Sequence, residues 1–126
     1  MMYLIAIALA TITSLTGYIL PLYKALDLYG ILLVLNVGAY LGFAITDGRR
    51  DKIVLEGMVA LGFGMLVLVG MWRWPWLIAA GFFLHAVWDL LHHPLKLGAR
   101  VRRGYATACL LYDVLVGGFI YLHLLR

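Results

Sequence analysis

The stretch IVLEGMVALGFGMLVLVGM, residues 53–71, contains a single ionisable side chain, Glu56. A helix that crosses a bilayer needs about 20 mostly apolar residues. The stretch is continuously apolar and does not alternate with a period of two, as a strand of a membrane barrel would. It therefore predicts a transmembrane helix.

The same pattern occurs five times along the chain, with short connections between the runs. Because no Lys or Arg precedes the first run, we interpret it as a helix and not as a cleaved signal peptide. The sequence predicts an all-α polytopic membrane protein, a bundle of five transmembrane helices that forms one domain over residues 1–126. The predicted spans are about 2–20, 28–46, 53–71, 76–92 and 105–125.

The composition of the whole chain agrees with this pattern. The 126 residues are 65% hydrophobic and 13% charged, whereas soluble domains are nearer half apolar and a quarter charged. A soluble fold of this size has too little interior to bury so much apolar surface. Disorder is excluded because disordered segments have low hydrophobicity. A disulfide scaffold is excluded because Cys109 is the only cysteine.

Basic residues predict the orientation of the bundle. Positive residues favour the cytoplasmic side of a membrane, so we expect a multi-pass protein of the bacterial inner membrane with the N-terminus cytoplasmic and the C-terminus outside. The charge of +4 suits contact with anionic lipid, and no soluble domain is available to bind nucleic acid. The loops on the predicted cytoplasmic side hold Arg49, Arg50, Lys52, Lys96, Arg100, Arg102 and Arg103, and the other side holds Lys24, Arg73 and Arg126.

Three acids lie inside the predicted spans: Glu56, Asp89 and Asp113. A carboxylate near the bilayer centre costs at least about 2.5 kcal/mol, so it needs a partner or a proton. No Lys or Arg lies within the spans. The candidates are therefore protons, water, histidine or a bound cation.

The segment HAVWDLLHH, residues 85–93, is the densest polar cluster. At 100° per residue, His85, Asp89 and His92 fall within an arc of about 60°, with His93 at its edge. Imidazoles and carboxylates on one helix face are typical of zinc and iron sites. We predict a divalent metal, zinc or iron, near the cytoplasmic face. The candidate ligands are His85, Asp89, His92, His93 and Asp113, and the candidate catalytic residues are Glu56 and Asp89.

Neighbouring helices are expected to complete this site. Polar residues Asn36, Tyr40 and Asp47 share a face of the second span. Stripes of small residues should bring helices close together, with Cys109 expected to be a packing residue and not a ligand. The stripes are Ala106, Cys109, Asp113 and Gly117 on the fifth span and Gly57, Ala60 and Gly64 on the third.

The pattern HxxWDxxHH of residues 85–93 resembles the signature of small, uncharacterised bacterial integral membrane proteins. Its ligand types are also similar to the histidine boxes of membrane fatty-acid hydroxylases and desaturases, and to the intramembrane zinc site of alkaline ceramidases. The hydroxylase families have about eight or more histidines, whereas this chain has four. These likenesses are analogies of ligand type.

Three functions fit these observations. The first is a metal-dependent enzyme, a hydrolase or an oxygenase, that acts on a lipid-like substrate entering from the bilayer. The second is a proton or divalent-cation transport element, which would require a homo-oligomer because one chain offers too few polar groups for a full path. The third is a non-catalytic membrane subunit in which the polar cluster joins helices.

Overall fold

The computed structural model describes residues 1–92 and 97–124, and this part of the chain consists of five helices without a strand. The predicted all-α architecture is therefore confirmed. Four of the helices are long and apolar enough to cross a membrane, whereas α4 has 17 residues and lies at the short end of the range for a span. The helices are α1 (Met2–Ile19), α2 (Leu22–Asp47), α3 (Arg50–Trp72), α4 (Trp76–His92) and α5 (Tyr105–Leu124).

The second helix begins earlier than the sequence pattern predicted, at Leu22 instead of residue 28. The predicted start left Lys24 and Asp27 outside the helix, but the connection from α1 needs only Leu20 and Pro21. Pro21 has a φ of −54°, and its carbonyl accepts the first helical hydrogen bond from Ala25 N at 3.0 Å. Because proline is pre-set for a helix start, α2 continues through both charged residues.

Gly48 ends α2 and makes the turn into α3 tight. Its φ of +74° lies in the left-handed region, and its N–H donates to the carbonyls of Ala44 and Ile45. Such a glycine satisfies carbonyls that the helix end leaves free. The third helix therefore starts at Arg50, which places Arg49 and Arg50 at the end of the bundle.

The helices form a closed ring, in which each packs against the next and α5 returns to α1, while α2 and α4 also touch across the middle. The core holds Tyr29, Leu33, Phe82, Val116 and Ile120. Large apolar side chains cover the outside as well, including Leu61 on α3 and Leu122 on α5. An apolar exterior around a packed core is what a lipid-facing bundle requires.

The two predicted stripes of small residues differ in what they do. On α5, all four stripe residues are buried, and a Cβ at Gly117 would lie 3.1 Å from Phe82 Cβ on α4. This stripe makes the close approach that was expected. On α3, a Cβ at Gly64 would meet nothing within 4 Å, and Gly64 lines an open apolar groove between α2 and α3. On α3, Gly64 therefore lies beside a groove, whereas Ala60 of the same stripe packs against the core.

Candidate metal centre

Four potential metal ligands meet between α4 and α5. His85 and Asp89 are one turn apart on α4, and Cys109 and Asp113 are one turn apart on α5. One ligand atom from each of these residues lies within 4.8 Å of the others. All four side chains are buried, and the His85, Asp89 and Asp113 residues are 0% exposed. We call these residues the ligand group.

Asp113 is held from two sides. Its Oδ1 accepts a hydrogen bond of 2.9 Å from Asn36 Nδ2 of α2, and its Oδ2 lies 2.5 Å from His85 Nδ1. The Cys109 thiol points to the same Oδ2 at 3.9 Å. The orientation of Asp113 is thus fixed by contacts to both neighbouring helices, as the geometry of a ligand requires.

Asp89 is held by one oxygen only. The Tyr40 hydroxyl of α2 donates to Asp89 Oδ1, while Oδ2 lies 3.9 Å from His85 Nδ1. Within the described residues, Asp89 Oδ2 and His85 Nε2 are buried polar atoms without a hydrogen-bond partner. An unsatisfied buried polar group costs about 1–3 kcal/mol. Each of these two atoms is available to a metal ion or a water molecule.

The donor set fits a transition metal. Imidazole, carboxylate and thiolate are all zinc ligands, and a soft thiolate beside imidazole suits zinc or iron more than magnesium or calcium. The ligand group lies in the half of the bundle nearest the α2–α3 junction, residues 47–52, and the loop 97–104, which together hold most of the basic residues. We call this half the basic end.

Glu56 and His92 lie in a second, separate network. His92 Nε2 lies 2.6 Å from Glu56 Oε1, which also accepts from Ala99 N at 2.9 Å. Trp88 Nε1 donates to Glu56 Oε2 at 3.1 Å, and His92 Nδ1 donates to the Trp88 carbonyl at 2.9 Å. These four residues form the Glu56 network. Both oxygens of Glu56 and both nitrogens of His92 are engaged in it.

Proton positions in the Glu56 network follow from its acceptors. The Trp88 carbonyl can only accept, so His92 Nδ1 carries a proton. His92 Nε2 and Glu56 Oε1 then share one more proton across their 2.6 Å contact. With the shared proton on His92 the two residues form an ion pair, and with the proton on Glu56 both are neutral. In either form the buried Glu56 has a hydrogen-bond partner, as a buried carboxyl group requires.

Tyr40 connects the two networks. Its ring stacks on the His92 imidazole, with the centroids 4.1 Å apart, and its hydroxyl is bonded to Asp89. Asn36 and Tyr40 therefore hold one carboxylate each, as their shared face on α2 suggested. Asp47, the third residue of that face, lies at the basic end, where it accepts hydrogen bonds from Arg49 at 2.6 and 2.8 Å.

The predicted site residues thus divide into two sets. The structure brings His85, Asp89 and Asp113 together, and it places His92 and Glu56 in the neighbouring network. His93, the remaining candidate ligand, lies outside the described residues. Cys109 joins the ligand group although the sequence pattern favoured a packing role for it. The spacing of Cys109 and Asp113, one helical turn, was the signal that could have identified it.

An apolar cavity of about 330 Å³ opens beside the ligand group, between α1, α2 and α5. Cys109 and Asn36 lie in its wall, so the cavity adjoins both a ligand-group residue and a hydrogen-bond donor to Asp113. The rest of its lining includes Leu9, Leu32 and Ala108. Ligand cavities of proteins are mostly apolar with a few polar groups and have volumes of this order.

Comparison with known proteins gives a family but not an activity. No significant match was found among curated proteins or among solved structures. A family model described as a family of unknown function, DUF6010, matches residues 1–124. Since this match covers nearly the whole chain, the protein belongs to the DUF6010 family of unknown function.

Proposed function

We propose that this protein is a membrane-embedded metal-dependent hydrolase that acts on a lipid-like substrate. The observation that carries the proposal is the buried ligand group, in which four ligand atoms lie within 4.8 Å of one another beside an apolar cavity. Among the described residues, His85 is the one ion-pair partner of the buried Asp89 and Asp113, so these two carboxylates are short of positive charge. A bound divalent cation provides the missing charge.

His85, Cys109 and Asp113 are the ligands in this proposal. Three protein ligands with one open position are the usual arrangement of catalytic zinc sites, whereas structural sites use four. Zinc in such a site activates a water molecule as a nucleophile. Asn36 supports the site by fixing the second oxygen of Asp113, a role that raises metal affinity in other zinc proteins.

Asp89 accepts the proton of the attacking water. Its Oδ1 is fixed by Tyr40, and its Oδ2 is free of hydrogen bonds among the described residues and lies next to His85. Glu56, the other candidate base, has both oxygens occupied by Trp88, His92 and Ala99. Asp89 is therefore the base, and Glu56 has a supporting role.

The apolar cavity supplies the substrate preference. Its wall contains Cys109, so a chain lying in it would approach the ligand group from α1 and α5. Its wall carries almost no polar surface apart from Thr13, Asn36 and the two tyrosines Tyr105 and Tyr112. A lipid-like molecule fits such a wall better than a sugar or a nucleotide does.

Elemental analysis of the purified protein by mass spectrometry tests the proposal. We expect stoichiometric zinc in the wild type and a background level in His85→Ala, Cys109→Ala and Asp113→Asn. Asp89→Asn should keep its metal, because the base is not a ligand. His123→Ala, which removes a histidine from the opposite end of the bundle, is the control and should also keep it. Iron in place of zinc would favour an oxygenase, and no metal in a folded wild type would overturn the proposal.

A further inference from the structure

A second cavity lies at the basic end, on the outer side of the ligand group. Its volume is about 530 Å³, and its wall is formed by Arg49 together with residues 98–104 and the start of α5. His92 forms part of the wall as well. We call it the basic cavity, because four arginines, Arg49, Arg100, Arg102 and Arg103, line it.

The loop that carries Arg100, Arg102 and Arg103 is folded against the bundle. Ala99 N donates to the buried Glu56, Lys52 Nζ donates to the Leu97 carbonyl at 2.7 Å, and Arg100 N lies 3.4 Å from Asp47 Oδ2. A loop that serves only to set the membrane orientation needs positive charge but no fixed shape. Here the positive charge surrounds a cavity.

The charges around the basic cavity are not balanced. Asp47 is the one carboxylate that contacts its arginines within the described residues, with Arg49 at 2.6 Å and Arg100 at 3.8 Å. Its hydrogen bonds to Arg49 raise the pKa of that guanidinium above its ordinary value, so Arg49 stays charged. Arg102 and Arg103 have exposed side chains. The cavity therefore has an excess of guanidinium groups, which bind phosphate with paired N–H donors.

The basic cavity and the apolar cavity are lined by neighbouring residues at the start of α5. Gly104 and Ala106 line the basic cavity, whereas Tyr105, Ala108 and Cys109 line the apolar one. The basic cavity is also close to the ligand group, because His92 in its wall stacks on Tyr40, which is bonded to Asp89. A molecule with a charged head and an apolar chain would occupy both cavities and pass beside the ligand group.

We propose that the basic cavity binds the phosphate group of an anionic lipid-like molecule whose chain lies in the apolar cavity. This inference rests on the proposed function, because it names the substrate class of the same site. The phosphate would contact Arg102 and Arg103, while Asp47 keeps Arg49 and Arg100 in place. The same guanidinium groups could attract a small free anion, so the test compares the two sources of phosphate.

Binding is measured on the full chain in nanodiscs of phosphatidylcholine, as the shift of the thermal unfolding midpoint during titration. The probes are dioleoyl phosphatidate, the uncharged dioleoylglycerol, glycerol 3-phosphate and inorganic phosphate. We expect phosphatidate to stabilise the protein at concentrations at least about tenfold below those needed for each of the other three, since only phosphatidate engages both cavities. Equal binding of glycerol 3-phosphate or inorganic phosphate would mean a small-anion site and would overturn the proposal.

Matched variants locate the phosphate. Arg102→Gln/Arg103→Gln should weaken phosphatidate binding by about tenfold or more, because charge-assisted hydrogen bonds are lost. Arg50→Gln and Arg73→Gln also remove positive charge, but neither residue lines the basic cavity, and each should bind as the wild type does. All four arginines are exposed, so these variants are expected to fold. A similar loss in Arg50→Gln would indicate diffuse surface attraction and contradict the proposal.

Two further variants test the chain and separate this inference from the proposed function. Ala108→Trp fills the apolar cavity and should weaken phosphatidate binding, whereas Ala60→Trp, in the groove between α2 and α3, should not. His85→Ala should bind phosphatidate normally while lacking metal. If the wild type binds phosphatidate but contains no metal, the proposed function fails, and what stands is a binding site for an anionic lipid-like molecule. If the wild type contains metal but does not discriminate among the probes, this inference fails and the proposed function stands.

Discussion

Cys109 illustrates how a single residue acquires its role from its neighbours. In the sequence it is one member of a stripe of small residues, and a lone cysteine in a membrane helix usually packs as a small apolar group. In the structure it is buried one turn from Asp113 and beside His85 and Asp89. Whether Cys109 is only a packing residue or also a potential ligand depends on its distance from His85 and Asp89 of α4. That distance depends on how α4 and α5 pack.

His92 makes the opposite point. Its angle on the helix wheel places it with His85 and Asp89, but an arc of about 60° is wide enough to face two neighbours. His85 and Asp89 face α5, whereas His92 at the edge of the arc, together with Trp88 just beyond it, meets Glu56 of α3. The spacing within one helix predicts which residues share a face. It does not predict which neighbouring helix each of them meets.

The Glu56 network should matter for stability and not for metal binding. His92→Ala removes the imidazole partner of the buried Glu56 carboxylate and leaves it only the Trp88 and Ala99 donors, which should destabilise the protein by about 3–5 kcal/mol. Glu56→Gln keeps an oxygen for Ala99 N and should cost less, about 1–3 kcal/mol. Thermal unfolding of the detergent-solubilised variants measures both effects, and metal content should stay at the wild-type level.

The double variant provides the control for that prediction. Because Glu56 and His92 contact each other directly, the effects of the two substitutions should sum to more than the effect of the double variant. Additive effects would mean that the two residues act independently. Loss of metal in His92→Ala would show that His92 is a ligand after all, and would contradict the division of the site into two networks.

At the scale of helices, α4 and α5 determine whether the ligand group forms, since each contributes two of its residues. Gly117 and Gly118 allow a matched test of their contact. A Cβ at Gly117 would lie 3.1 Å from Phe82 Cβ and 3.5 Å from the Ala79 carbonyl, whereas a Cβ at Gly118 would meet nothing within 4 Å. Gly117→Val should therefore destabilise the protein by about 1–3 kcal/mol through overpacking and reduce its metal content.

Gly118→Val introduces the same side chain one residue further along α5 and should leave both the unfolding midpoint and the metal content near those of the wild type. If the two variants behave alike, the helix propensity of valine, and not the contact between α4 and α5, determines the result. If Gly117→Val is destabilised but fully metallated, the close approach of the helices is not what assembles the ligand group.

The number, type and order of the helices could be predicted from the apolar runs, because each run is long and its ends carry charges or prolines. The helix ends were less predictable. The predicted start of the second span left out Lys24 and Asp27, but they lie in α2 because a helix near a membrane surface tolerates charged side chains that reach water. Gly64 of the α3 stripe lies beside a groove for a related reason, since small residues permit a close contact but do not select the partner.

At the scale of the whole molecule, the distribution of charge predicts how the bundle lies in the membrane. The basic end carries Arg49, Arg50, Lys52, Arg100, Arg102 and Arg103, and the opposite end carries Arg73 and the exposed Trp72, Trp74 and Trp76. Tryptophans at a helix end are typical of a membrane interface. The basic end is the half that holds the ligand group, so the orientation also decides which side of the membrane the site faces.

We expect the basic end to face the cytoplasm, with the N-terminus inside and the C-terminus outside, because basic residues near spans are retained on that side. An alkaline phosphatase fused after residue 124 should be active in a bacterial host, and a fluorescent protein fused at the same point should be dark, since each requires its own compartment. Fusions after Gly48, in the turn between α2 and α3, should give the reverse pattern.

Replacing Arg49, Arg50 and Lys52 with Gln should weaken the preference for this orientation, whereas replacing Asp27 with Asn should not, because acids contribute little to this rule. An active phosphatase at Gly48 would place the ligand group and the basic cavity in the outer half of the membrane.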